Sequence, residues 1–79
     1  MTIHVQYFAI LREQRGLTEE RLETKATTPE ALYEELRARH RFTLPANRIR
    51  AALNDEFVAA TAPLREGDRV VFIPPVAGG

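Results

Sequence analysis

Five residues near the C-terminal end, Arg69-Val70-Val71-Phe72-Ile73, constrain the fold more than any other stretch of this chain. Side chains alternate across an extended backbone, so Val70 and Phe72 point one way while Val71 and Ile73 point the other. A strand that is apolar on both faces belongs in the middle of a sheet. The chain has 79 residues, enough for one small domain with a single modest core. The other elements must therefore be gathered around this late strand.

Ile3-His4-Val5-Gln6-Tyr7 alternates apolar and polar, which predicts a half-buried strand with Ile3, Val5 and Tyr7 inward and Phe8 on the outer face. Ala9 to Arg15 favours one or two helical turns, stopped by Gly16. Thr18 to Thr24 is a plausible second strand, although Leu22 is its only strong hydrophobe. Thr28-Pro29-Glu30 is a helix start, with a Thr cap, Pro in the first helical position and an acid in the first turn. Leu32, Tyr33 and Leu36 form the inward stripe, and Glu34, Glu35, Arg37 and Arg39 are expected outward.

After Pro45, the alternation of Ile49, Ala51 and Leu53 with Arg48, Arg50 and Ala52 predicts a third strand from Arg48 to Asn54. Asn54-Asp55-Glu56 is a turn into a short returning strand at Phe57-Val58, and Glu66-Gly67-Asp68 is the turn into the central strand. The order is strand, short helix, strand, helix, then two or three strands. That order predicts an α+β architecture: a β-grasp (ubiquitin-like) mixed sheet packed on one main helix, with the last strand beside the first. The domain is expected over residues 1–73, followed by a flexible C-terminal diglycine tail over 74–79.

Composition removes several functions. The formal net charge is zero, which gives no footprint for nucleic acid or an anionic membrane. There is no cysteine, hence no disulfide, thiolate metal site or side-chain thiol nucleophile. Lys25 is the only lysine, against ten arginines, a bias found in some heat-adapted families. The N-terminal residues lack the pattern of a signal peptide, and no apolar run approaches a membrane span, so a cytoplasmic location is expected. His4 and His40 lack metal-type spacing, and the threonines have no adjacent base. No metal or resident cofactor is expected, and the chain does not look like an enzyme by itself.

Two features remain. One is the end, Pro74-Pro75-Val76-Ala77-Gly78-Gly79. Terminal glycines pack nothing, but without Cβ atoms they can thread a narrow channel and present a carboxylate. The other is the face of the central strand turned away from the helix. Val71 and Ile73 there should be joined by Phe8, Ala52, Arg48 and Arg50, and Arg12 follows in the short helix. An exposed apolar patch rimmed by arginine suggests a partner-binding surface leading into the tail.

The segments Val5-Gln6-Tyr7-Phe8-Ala9-Ile10-Leu11-Arg12-Glu13, Ala51-Ala52-Leu53-Asn54 and Leu64 to Gly79 together resemble the MoaD family, the small subunits of molybdopterin synthase. The Gly-Asp turn, the double proline and the final Ala-Gly-Gly stand in one register. This resemblance implies a sulfur carrier. An ATP-using, MoeB-type enzyme would adenylate the carboxylate of Gly79, and sulfur would then displace AMP to leave a thiocarboxylate. Pro74, Pro75, Val76, Ala77 and Gly78 would insert into a MoaE-type large subunit that holds cyclic pyranopterin monophosphate, with a heterotetramer as the expected assembly. Related diglycine carriers serve thiamine synthesis or tRNA thiolation or modify protein lysines, and a plain interaction module with an inert tail is a further alternative.

Overall fold

The structure is a computed structural model, and it describes residues 1–75. The expected tail residues Val76, Ala77, Gly78 and Gly79 lie outside the described residues.

Strand β1 (Thr2–Tyr7) is followed by helix α1 (Ala9–Arg15), strand β2 (Glu19–Glu23) and helix α2 (Pro29–His40). A 3₁₀ turn (Ala46–Arg48) then leads to β3 (Arg50–Leu53), β4 (Glu56–Val58) and β5 (Arg69–Ile73). The sheet order is β2-β1-β5-β3-β4. As the apolar run required, β5 is central, parallel to β1 and antiparallel to β3.

The inner face carries the core. Ile3, Val5 and Tyr7 from β1 and Val70 and Phe72 from β5 are buried against Leu32, Tyr33 and Leu36 of α2. The helix begins where its capping chemistry places it: the Thr28 hydroxyl accepts the Ala31 N–H at 3.1 Å, and Pro29 occupies the first turn. It ends on Arg41, whose φ of 59° is left-handed. That reversal folds Phe42 back into the core, where its ring lies 5.8 Å from Tyr33 and 5.9 Å from Tyr7.

Two turns set the register at the other end of β5. Asn54 and Asp55, both with positive φ, form the two-residue hairpin between β3 and β4. The Asn54 side chain accepts the Arg69 N–H and donates to Asp68, each at 3.1 Å. Gly67, at φ 83°, makes the turn into β5. The hairpin is thereby tied to the first residue of the central strand.

The third strand is shorter than the alternation predicted. Arg48 belongs to the 3₁₀ turn, where its N–H bonds the Pro45 carbonyl at 3.0 Å, so it leaves the sheet face. Glu35 is also less exposed than expected; it accepts a 2.8 Å hydrogen bond from the buried Thr24 hydroxyl.

Candidate functional site

The outer face of the sheet is assembled in rows by strand register. Across one row, Gln6, Val71, Ala52 and Phe57 stand side by side on β1, β5, β3 and β4. In the next row, Arg50 pairs with Ile73. The register that sets Tyr7 opposite Phe72 carries Phe8 to the level of Ile73. Phe8 is still extended, with φ −123° and ψ 152°.

The chain then turns sharply. Ala9 takes φ 51°, a left-handed value unusual for a residue with a Cβ. This places α1 across the end of β1, with Leu11 buried and Phe8 and Ile10 left outward at 39% and 38% exposure. Arg12 is exposed in the same helix; its carbonyl accepts the Gly16 N–H at 2.8 Å, while its side chain makes no hydrogen bond or ion pair with another described residue. Among the described residues Phe57 is the most exposed large hydrophobe, at 59%. The Arg50 guanidinium lies 4.2 Å from the centre of its ring, a cation–π contact on the solvent side.

The structure therefore brings Phe8, Ile73, Arg50 and Phe57 to one end of the outer face, beside the point where the chain leaves β5. It changes the expected part of two residues. Val71 and Ala52 are each only 7% exposed, although no helix covers them. Their small surfaces are walled in by the longer side chains of Gln6, Phe57 and the neighbouring rows, so they form the floor of the face. The exposed apolar side chains of this face are Phe8 and Phe57, with Ile73 half-buried beside them, and Ile10 is exposed in α1. Pro74 is buried and Pro75 exposed, so the backbone is held against the domain for one residue beyond β5.

Ile10 and Phe57 were missed in the sequence reading. Phe57 depends on turn length: the three-residue turn read at Asn54-Asp55-Glu56 does not set its face, whereas the two-residue Asn54-Asp55 turn of the structure pairs Leu53 with Glu56 and hence Ala52 with Phe57, on the outer side. Ile10 was not legible, because its exposure follows from the Ala9 backbone, which no residue type announces.

Beneath α1 lies a second polar group. Arg15 grips Glu20 with two hydrogen bonds of 2.7 and 2.8 Å, and the buried Tyr7 hydroxyl donates to the same carboxylate at 2.7 Å. Hydrogen bonding from Arg15 holds this carboxyl below its usual range, against the opposing effect of desolvation. Burial, followed by the negative Glu20 beside it, pushes the Tyr7 phenol well above its ordinary value. His40 is pushed down, first by desolvation and then by Arg15. The group clamps the end of α1 to β1 and β2. Among the described residues, no three His, Asp or Glu side chains are grouped to hold a metal ion.

The five-stranded mixed sheet clasping α2, with the central β5 parallel to β1, defines a ubiquitin-like β-grasp domain. Within that class, residues 5–79 match the ThiS family, and the chain belongs to that family. It is 36% identical over 80 aligned positions to the molybdopterin synthase sulfur carrier subunit of Escherichia coli (strain K12), covering 98% of this chain and 99% of that protein. A solved complex of subunits 1 and 2 of molybdopterin-converting factor from Helicobacter pylori contains a similar chain: 28% identity, TM-score 0.65, all of both chains covered. SAMP1 from Haloferax volcanii shares the fold over the full length of both chains, with TM-score 0.78 at 24% identity.

Proposed function

We propose that this chain is the sulfur carrier subunit of a molybdopterin synthase and works within a complex rather than alone. The observation that carries this reading is the end-to-end likeness to the E. coli sulfur carrier subunit. The outer face supports it, since Phe8, Ile73 and Phe57 beside Arg50 form the mixed apolar and cationic surface typical of a docking patch.

In this reading the working group is the Gly79 carboxylate. A free carboxylate resists nucleophiles, so its oxygen first attacks the α-phosphorus of ATP on a MoeB-type enzyme, releasing pyrophosphate. A sulfur nucleophile then attacks the acyl carbon, the bond to AMP breaks, and a thiocarboxylate remains. That soft, ionised sulfur supplies what a chain without cysteine lacks. Val76, Ala77 and Gly78 carry it into a MoaE-type large subunit, where it is delivered to cyclic pyranopterin monophosphate. Pro74 and Pro75 restrict the backbone at the base of this segment and lower the entropy lost on insertion. ATP belongs to the activating enzyme, and the carrier has no cofactor of its own. The assembly is a heterotetramer of two small and two large subunits in the cytoplasm.

The test is an intact-mass measurement after incubation with the activating enzyme, ATP and sulfide. The expected result is a mass gain equal to one oxygen replaced by sulfur, located at Gly79 and lost again on adding the large subunit with its pterin substrate. An unchanged mass overturns the reading. A thiocarboxylate that the large subunit leaves untouched makes the chain a carrier for another acceptor.

A further inference from the structure

Ten of the eleven basic residues are arginine, and the one lysine, Lys25, stands far from where the chain leaves the domain. The position of Lys25 follows from the sheet. Thr24 donates its N–H to the Met1 carbonyl at 2.9 Å, so Lys25 lies beyond the beginning of β1. The Met1 amine is held at the same pole, 2.9 Å from the Thr24 carbonyl and 3.7 Å from Glu23. Strand β5 runs parallel to β1 and ends at the level of Phe8. The two poles are therefore separated by about eight residues of strand, on the order of 25 Å.

The cations toward the exit include Arg50, paired with Ile73, and Arg12, one helical turn beyond Phe8. Both are exposed. Four residues beyond Pro75 span at most about 14 Å. That length reaches the neighbourhood of Arg50 and Arg12. It falls short of Lys25 even with the four-carbon lysine stem added.

We propose that the exit pole of this domain is kept free of lysine so that the activated carbonyl of Gly79 cannot acylate its own chain. The proposal rests on the sulfur-carrier reading, because only an activated Gly79 needs such protection. Arginine and lysine both give the docking face positive charge, but they differ as nucleophiles. A guanidinium stays protonated at any working pH, whereas a lysine amine is free in a small fraction of molecules and attacks acyl groups. In the unwanted step, the amine nitrogen bonds to the Gly79 carbonyl carbon and the bond to the leaving group breaks. The leaving group departs with the electron pair and the amine loses a proton to solvent. The product is an isopeptide, and the carrier is lost. Arginine at positions 12 and 50 retains the charge and removes the nucleophile.

The experiment uses the full chain prepared with a C-terminal thioester on Gly79, a chemical stand-in for the adenylate that needs no enzyme. Thioester loss is followed by intact mass in dilute protein for wild type, Arg12→Lys, Arg50→Lys and the distal control Arg39→Lys, which lies in the same depression as Lys25. Wild type and Arg39→Lys are expected to hydrolyse to the acid. Arg12→Lys or Arg50→Lys should lose the thioester at least tenfold faster and end one water lighter than the acid, with the new lysine linked to Gly79. Hydrolysis of both exit-pole variants at the wild-type rate overturns the proposal, as does wild-type protein linked through Lys25. The sulfur-carrier reading fails separately, if the activating enzyme leaves the mass of the untreated chain unchanged.

Discussion

The Tyr7 hydroxyl donates a 2.7 Å hydrogen bond to Glu20, joining the most buried aromatic of the first strand to a carboxylate on the edge strand beside it. Arg15 closes the group from α1. Because the folded-state pKa of Glu20 is depressed, this arrangement stabilises the fold above the unfolded carboxylate pKa. That stability is lost as pH falls through the folded value. Glu20→Gln should cost about 1–2 kcal/mol near neutral pH. The gap between variant and wild type should narrow as the pH drops below about 4, the ordinary glutamate range. Urea denaturation midpoints across that range check both statements.

His40 predicts a separate pH effect. Its folded-state pKa is lowered, so the unfolded chain binds the proton more readily. Stability should therefore fall as the pH drops through the ordinary histidine value of about 6.5, until the folded-state histidine also titrates. His40→Gln should flatten the stability profile in that window and leave the acidic limb due to Glu20.

Ala9 offers a gain-of-stability test. A left-handed conformation costs an L-residue roughly 1–2 kcal/mol, and glycine escapes that cost. Against this, glycine adds about 0.4–1 kcal/mol of unfolded-state freedom. The difference favours the substitution, so Ala9→Gly should raise stability by about 0.5 kcal/mol while most alanine-to-glycine changes in helices lower it. A lower denaturation midpoint would contradict the backbone description.

Substitutions on the outer face should separate by depth. Phe8→Glu changes a side chain that already meets solvent, so folding should be retained while affinity for the large subunit falls at least tenfold, about 1.4 kcal/mol. Val71→Asp places a carboxylate in the buried floor and should cost about 3 kcal/mol of stability or more. Circular dichroism and titration of the large subunit distinguish the two outcomes.

Most of the fold was written in local patterns. The alternation of Ile3, Val5 and Tyr7 and the Thr28-Pro29 start each specify one element, and the structure keeps both. The turn read at Asn54-Asp55-Glu56 is kept in place but tightened to Asn54-Asp55, with Glu56 drawn into β4. Phe42 was illegible, because its burial depends on Arg41 taking a left-handed backbone that glycine would have advertised. The floor formed by Val71 and Ala52 was misjudged for a related reason. Strand alternation tells which way a side chain points, but depth depends on neighbours from three other strands. The Glu20 group was not legible, because its partners, Arg15 and Tyr7, arrive from elements that only the fold brings near.

The central place of β5 has a consequence for how the protein is made. The sheet is two hairpin-like halves, β1 with β2 and β3 with β4, which touch β5 and not each other. A ribosome that has not yet released Arg69 to Ile73 holds two unjoined halves and an uncovered α2. Closure waits for this strand, because β5 alone joins the two halves. A chain cut after Asp68 should therefore show no cooperative unfolding at all.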